Sequence, residues 1–225
     1  MGIDIGPIEA TDLLAISFDV GNTRSYSGSG TTVNGLISGI GCTLVNGVGF
    51  GTTGTRYFIL DGVDDNIPFN IPNVGTTITI EMWAKIRAFS GGMPFGFLLY
   101  DVWTANGAMG YNTAVSDQYG LTSTQVTNLG LLNQWKHYIF EMRSDVAYTN
   151  NKIYINAVNQ SLSQVGGSES SGNRNFNSGN GRISSWLNSS AFNISMDLAQ
   201  FQVYNRALSA TEIFQNYHAT KGRYK

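Results

Sequence analysis

The segment Thr77-Ile78-Thr79-Ile80-Glu81-Met82-Trp83-Ala84-Lys85-Ile86 constrains the fold more than any other part of the chain. Ile78, Ile80, Met82, Ala84 and Ile86 occupy alternate positions, and Thr79, Glu81 and Lys85 fall between them. A period of two puts the first set on one face of a β-strand and the second on the other, so the segment predicts a half-buried strand. Trp83 falls on the polar face and needs a cover there. The same signal recurs along the chain. Residues 135–142 place Tyr138, Phe140 and Met142 on one side, residues 151–158 turn Ile153 and Ile155 inward, and residues 194–204 put Phe201 and Val203 on one face. Residues 13–18, 56–60 and 95–102 read as further strands, separated by Gly- or Asn-rich turns.

One helix closes this β pattern. Ser209-Ala210-Thr211-Glu212 has the form of a capping box, in which the Ser hydroxyl takes the amide three residues on and the Glu reaches back to the Ser amide. Ile213, Phe214 and Tyr217 follow as an apolar stripe, and Gly222 offers a stop. The 225 residues suit one undivided β domain with a core of its own. The small, polar stretches 21–35 and 166–181 read as loops within that domain, since strands of the same patterning continue on both sides. Residues 1–11 form an N-terminal arm ahead of a domain over 12–225. Ile3, Ile5, Pro7 and Ile8 in the arm are apolar but follow no core period, so the arm is expected to dock on a neighbouring subunit or a capsid surface.

Composition excludes several classes. Charged residues are 12% of the chain, about half the usual share, so Asn, Ser, Thr, Gln and Gly must make up the surface. The net charge is −2, and no run of Lys or Arg marks a nucleic-acid footprint or a polybasic membrane patch. No apolar stretch approaches the roughly 18 residues of a membrane span. Cys42 is the single cysteine, which excludes an intrachain disulfide and Cys-rich metal sites and reads as a small buried hydrophobe. The first ten residues have neither the basic nor the apolar region of a signal peptide, so synthesis in a cytoplasm is expected.

Three stretches resemble the laminin-G-like, concanavalin A-like jelly-roll family. Residues 57–67, YFILDGVDDNI, resemble its strand-turn-strand "F-D-G-x-D-D-Y-I", with Leu60 at the aromatic position and Asn66 at the usual Tyr. Trp135-Lys136-His137-Tyr138 and Lys152-Ile153-Tyr154-Ile155-Asn156-Ala157-Val158 resemble its "W-H-H-V" and "L-x-L-Y-V-N-G" strands, with Ala157 replacing the Gly. Residues 203–213, VYNRALSATEI, resemble its "hYNRALSxxEI" ending and are the most specific of the three. The resemblance implies an all-β jelly-roll sandwich of antiparallel strands with one short C-terminal helix. A narrower likeness links Gly21-Asn22 and Ser25-Tyr26-Ser27-Gly28-Ser29-Gly30-Thr31-Thr32, together with Asn216-Tyr217-His218-Ala219-Thr220-Lys221-Gly222-Arg223-Tyr224, to laminin-G-like proteins in the virions of tailed phages of marine bacteria and cyanobacteria. This implies a virion-surface protein made in the host cytoplasm, in contact with other capsid or tail proteins.

The chemistry the sequence can carry is limited. Glycoside hydrolysis needs two carboxylates about 5–9 Å apart across one bond. The family's hydrolase signature Glu-x-Asp-x-x-Glu is absent, Glu81 has no acidic neighbour at i±2 or i±4, and Asp145 falls in the turn after Glu141. His137, at a family strand position, reads as structural, and His218 as the polar edge of the last helix. Asp64, Asp65 and Asn66 bring hard oxygen ligands into one turn and form a weak calcium candidate. The related pentraxins hold calcium from an Asp-Asn pair at a comparable place, to which Asp65-Asn66 corresponds, but the later acidic cluster that completes their site is here Ser184-Ser185-Trp186-Leu187-Asn188-Ser189. Asp61, Asp64 and Asp65 bonding turn amides is the favoured reading, and no other cofactor is expected. A glycan site needs aromatic platforms beside polar loops, for which Trp103, Tyr111 and Trp186 are the candidates.

Three functions remain. The first is a non-enzymatic virion structural protein, a capsid decoration, knob or fibre module, as a homo-oligomer with a trimer favoured by analogy with such assemblies. The second is a carbohydrate-binding adhesin for host surface glycans, which is compatible with the first. A glycoside hydrolase is the least supported.

Overall fold

The structure is a computed structural model, and it describes residues 8–37, 39–112, 117–167, 175, 176, 178–187, 189 and 191–224. Among the described residues, seventeen strands and two α-helices follow in chain order. They begin with β1 (Leu14–Asp19), β2 (Thr32–Val33), β3 (Cys42–Thr43), β4 (Gly49–Gly51), β5 (Tyr57–Asp61), β6 (Ile67–Asn70) and β7 (Thr77–Ile86). Next come β8 (Phe95–Gly96), β9 (Asp101–Ala105), β10 (Ala108–Asn112), β11 (Gln118–Leu121), α1 (Ser123–Asn128), β12 (Lys136–Arg143), β13 (Lys152–Ile155) and β14 (Val158–Asn159). The chain ends with β15 (Ser163–Gly166), β16 (Asn180–Ile183), β17 (Ser195–Tyr204) and α2 (Ala210–Thr220).

Two antiparallel sheets face each other. The first runs β14-β13-β12-β7-β17-β5-β4, with β1 also paired to β17. The second runs β15-β11-β10-β9-β8-β16-β6. β17 serves two partners along one edge: Ser195–Leu198 pairs with β5, and Gln200–Tyr204 with β1. Aromatic contacts join the sheets. Phe69 on β6 lies 5.4 Å from Phe201 on β17, and Phe95 on β8 lies 5.2 Å from Phe140 on β12. Such pairs add directional preference to the burial of large rings between the layers. Cys42 is in this core, where burial pushes its thiol up to about 12.

β7 keeps the alternation read from the sequence but is buried on both faces, not half-buried. The cover on its polar face is α2 with the segment after it. Tyr224 stacks on Trp83 at 4.3 Å and Tyr217 at 5.9 Å, while Trp83 Nε1 donates to Thr220 Oγ1 at 2.7 Å. The capping box of α2 forms as expected. Its buried side is Ile213, Asn216 and Thr220, whereas Phe214 is 58% exposed and lies against His218. The helix packs on a polar strand face, so polar residues face inward and the apolar stripe read from the sequence does not hold at Phe214.

Two expected strands divide. Residues 95–102 become β8 and β9, and residues 151–158 become β13 and β14 around Asn156 and Ala157, both at positive φ. A two-residue turn of this kind matches strand twist, and Asn accepts it more readily than Ala. A second helix, α1, was not read from the sequence. Its signal is Thr122-Ser123-Thr124-Gln125, a capping box that closes in the structure.

The described part of the arm docks on its own domain. Ala10 N–H donates to Asn216 Oδ1 at 2.7 Å, Tyr204 donates from its hydroxyl to the Ala10 carbonyl at 3.0 Å, and Gln200 donates to Glu9 at 2.5 Å. Gln215 also reaches the Ile8 carbonyl. The expectation of a neighbouring partner for Ile3, Ile5 and Pro7 lies outside the described residues, as do residues 168–174 of the 166–181 loop and Asn188.

Candidate functional site

The glycan candidates fall in different environments. On β9 and β10, Val102 and Tyr111 pair across the strands and point into the core, so Asp101, Trp103 and Asn112 occupy the outer face of the second sheet. Trp103 is half-buried there, with Nε1 donating to the Gly91 carbonyl at 3.2 Å and Phe192 at its edge. Trp186 is also half-buried and donates to the Leu98 carbonyl at 3.0 Å. Tyr111 is fully buried, and its hydroxyl donates to the carbonyls of Glu141 at 3.1 Å and Lys152 at 2.6 Å. It ties the two sheets together and presents no ring face to a ligand, because the strand register sends odd and even positions of β10 to opposite sides. Trp103 and Trp186 keep the half-exposure a sugar platform needs.

Asp101 lies beneath Trp186. Gly96 pairs with Asp101, and a Cβ on Gly96 would lie 2.9 Å from the Ser185 carbonyl and 3.1 Å from the Trp186 Cα, so only glycine lets that segment cross the sheet. Burial raises the Asp101 carboxyl well above the ordinary range, with the Asn112 side chain opposing the shift. Among the described residues, Asp101 Oδ1, Asn112 Oδ1 and Arg182 Nε are buried without hydrogen-bond partners.

The acidic turn between β5 and β6 gathers Asp61, Asp64 and Asp65, with one oxygen of each within 4.8 Å of the others. Its internal bonds are those of a structural turn. Asp65 Oδ2 accepts from the Asp61 amide at 3.1 Å, Asp61 Oδ1 from the Val63 amide at 2.7 Å, and Asn66 Nδ2 donates to the Asp64 carbonyl at 3.0 Å. Asn193 donates to the Asp65 carbonyl at 2.9 Å. Asp65 is buried and its carboxyl is raised, mainly by desolvation, with the Asp61 and Asp64 charges adding to it. Asn66 uses its amide nitrogen inside the turn, and the acidic oxygens the turn would offer a cation are those of the three carboxylates.

A cleft on the first-sheet side was not read from the sequence. About 550 Å³ opens between the β4–β5 loop, the start of β12 and the C-terminal segment, lined by residues that include Gly21, Thr55, Arg56, Trp135, Gly222 and Arg223. Trp135 is half-buried and fixed edge-on to Tyr57 at 5.5 Å and beside Tyr224 at 5.7 Å, with Lys85 Nζ 5.4 Å above its ring. Asp19 holds Arg223 by both terminal nitrogens at 2.6 Å. Trp135 read only as a strand-start residue, because its cleft neighbours come from three distant segments that leave no local periodicity.

The other acids of the first-sheet outer face are committed to partners. His137 Nε2 and Asn216 Nδ2 each lie 2.7 Å from an oxygen of Glu81, Lys152 Nζ lies 3.3 Å from Glu141, and Lys85 and Arg87 hold Asp197 at 2.7 and 2.6 Å. His137 therefore has a structural environment, fully buried between strands.

A face-to-face pair of antiparallel sheets closed by one C-terminal helix defines a jelly-roll sandwich of the laminin-G-like, lectin-like class. Residues 61–214 match the profile of the concanavalin A-like lectin/glucanases superfamily, and the chain belongs to that superfamily. Solved structures with the same fold include the receptor binding domain of botulinum neurotoxin C/D mosaic serotype, at TM-score 0.62 and 14% identity, covering 93% of this chain and 52% of that one. The binding domain of Paraclostridial Mosquitocidal Protein 1 matches at TM-score 0.63 and 14% identity, covering 92% and 52%. A botulinum neurotoxin serotype D ligand binding domain in complex with N-acetylneuraminic acid matches at 0.60 and 14%, covering 93% and 51%. The chain thus spans about half the length of these proteins, each of which is a binding domain by name. Comparison with curated proteins gives no match.

Proposed function

We propose that this chain is a non-enzymatic module at the surface of a tailed-phage virion, a capsid decoration, knob or fibre element, that contacts host surface glycans through the Trp135 cleft. The observation that carries the reading is the meeting of the two phage-like segments. Gly21 from the first and Gly222 and Arg223 from the second share the wall of a cleft that also holds a half-exposed tryptophan. Aromatic faces beside a few placed polar groups are the common form of a sugar site. The superfamily and the ligand-bound toxin domain support a glycan, and the pairing of Glu81, Glu141 and Asp197 with bases supports binding without hydrolysis. A glycan array with the protein and its Trp135→Ala variant tests the contact: signal lost in the variant is expected, and no signal from either refutes the glycan reading. Electron microscopy of particles with and without the protein tests its place on the virion.

The assembly we propose is a homotrimer, supported by a low-charge surface that is cheap to desolvate and by the symmetry of phage decorations and fibres as a class. Sedimentation at high concentration decides it, and a strict monomer removes the proposal.

A further inference from the structure

We propose that the Trp135 cleft takes a sugar bearing a carboxylate and that Arg56 reads the charge; the proposal rests on the cleft being the glycan contact. The positive groups around the cleft differ in how they are used. Arg223 is clamped by Asp19, and Lys85 is paired with Asp197 at 2.7 Å. Arg56 lines the cleft with no acidic partner among the described residues. It is held from behind, with Nη2 donating to the Tyr26 carbonyl at 3.2 Å and its guanidinium carbon 5.0 Å from the centre of the Phe50 ring. Its other donors have no protein acceptor among the described residues. The cleft lining contains neither Asp nor Glu.

A positioned guanidinium with unused donors matches a carboxylate in shape and charge and can bond it through two parallel N–H groups. The cleft volume lies within the roughly 300–1,000 Å³ of small-molecule sites, more than a bare anion fills. Trp135 supplies an apolar surface for the C–H face of a ring, and Thr55 supplies a hydroxyl for its polar edge. A neutral sugar has no use for the uncompensated charge, so the acidic class is the better fit.

The test is calorimetric titration with methyl glycosides of glucuronic, galacturonic and N-acetylneuraminic acids, each against its methyl ester, which keeps the ring and removes the charge. At least one acid is expected to bind tenfold or more tightly than its ester, with the advantage shrinking as salt rises. Arg56→Gln, checked for an unchanged melting temperature, is expected to abolish that preference by weakening the acid tenfold or more and the ester by less. Trp135→Ala is expected to weaken acid and ester alike. Equal binding of acid and ester, binding of neutral array sugars alone, or a preference for galactose 6-sulfate over all three acids overturns the carboxylate inference and leaves the glycan reading standing. No binding of any sugar overturns both.

Discussion

Arg223 and Asp19, 204 positions apart, are joined by two hydrogen bonds of 2.6 Å, one from each terminal guanidinium nitrogen. This fork fastens the C-terminal segment to the end of β1 and sets one wall of the cleft. Gly21 belongs to the same unit. Its amide donates to Asp19 Oδ1 at 2.8 Å, and a Cβ there would lie 2.3 Å from Arg223 Nη2.

Breaking the fork should loosen the tail more than it destabilises the domain. The side chains of Arg223 and Asp19 are 37% and 13% exposed, so solvent screens part of the attraction. Arg223→Gln is expected to cost about 1 kcal/mol, a fall of about 2–4 °C in melting temperature for a domain of this size, and less at high salt. Cleavage by a protease after Lys221 should accelerate. A variant with wild-type melting and wild-type cleavage would show that the fork carries no strain of the tail. Gly21→Ala should behave alike, since its methyl group occupies the place of the guanidinium.

The Glu81 cluster should matter more. Glu81 is 2% exposed and joins β7 to β12 through His137 and to α2 through Asn216. Removing the carboxylate leaves His137 Nε2 buried without its partner, while Asn216 keeps its contacts with Ala10 and Tyr204. Glu81→Ala is expected to cost about 3 kcal/mol in urea unfolding, within the range for breaking a buried pair. Asn216→Ala should cost about 2 kcal/mol by the same argument, with earlier hydrogen exchange in α2. A loss under about 0.5 kcal/mol for Glu81→Ala, typical of a surface change, would contradict this role.

Much of the fold was legible because burial follows period. β7, β12 and β17 were visible from alternation, and α2 from Ser209-x-x-Glu212. What was not legible depends on what covers a strand. The sequence marks Thr79, Glu81 and Trp83 as a polar face, but only α2, lying across it, makes that face interior. The same gap misplaced Tyr111, whose ring type suits a sugar platform but whose register sends it to the core. Trp135, Arg56 and Arg223 come together only through the tertiary fold, so no spacing in the sequence joins them.

The cap of α2 carries a pH signature. Arg206, beside Glu212 at 2.7 Å, together with the Ser209 amide and hydroxyl, holds the Glu212 carboxyl down at about 2. A carboxyl depressed in the native state contributes stability above its unfolded value, near 4.3, and loses it as pH falls toward the folded value. Melting temperature should therefore fall between about pH 4.5 and pH 2, and Glu212→Gln should flatten part of that fall while lowering stability at pH 7. A Gln variant with the wild-type acid slope would assign the slope elsewhere.

The acidic turn predicts how the protein answers a chelator. Asp61 and Asp65 are bonded to the amides of Val63 and Asp61. With the turn closed by its own backbone, EDTA is expected to move the melting temperature by less than about 2 °C, under 1 kcal/mol at this chain length. A fall of about 10 °C would establish a structural calcium ion and overturn the turn-amide reading. Asp65→Ala should fold, with a loss of about 1–2 kcal/mol from the orphaned Asp61 amide.

Asp101 gives the opposite pH dependence. Burial beneath the Trp186 segment raises its carboxyl well above the usual range, and Oδ1 has no partner among the described residues. An acid whose value is raised on folding keeps its proton longer in the native state than in the unfolded chain. Its burden on stability is therefore absent below the unfolded value, near 3.9, and grows as pH rises toward the folded one. Asp101→Asn keeps the shape and removes the titration. The variant is expected to melt about 2–4 °C above the parent at pH 8, equivalent to roughly 1 kcal/mol, and the gap should narrow toward pH 4. Thermal melts of both proteins from pH 4 to 8 check this. A variant less stable than the parent at pH 8, or a gap that does not change with pH, would mean that the Asp101 carboxyl is not held protonated by burial.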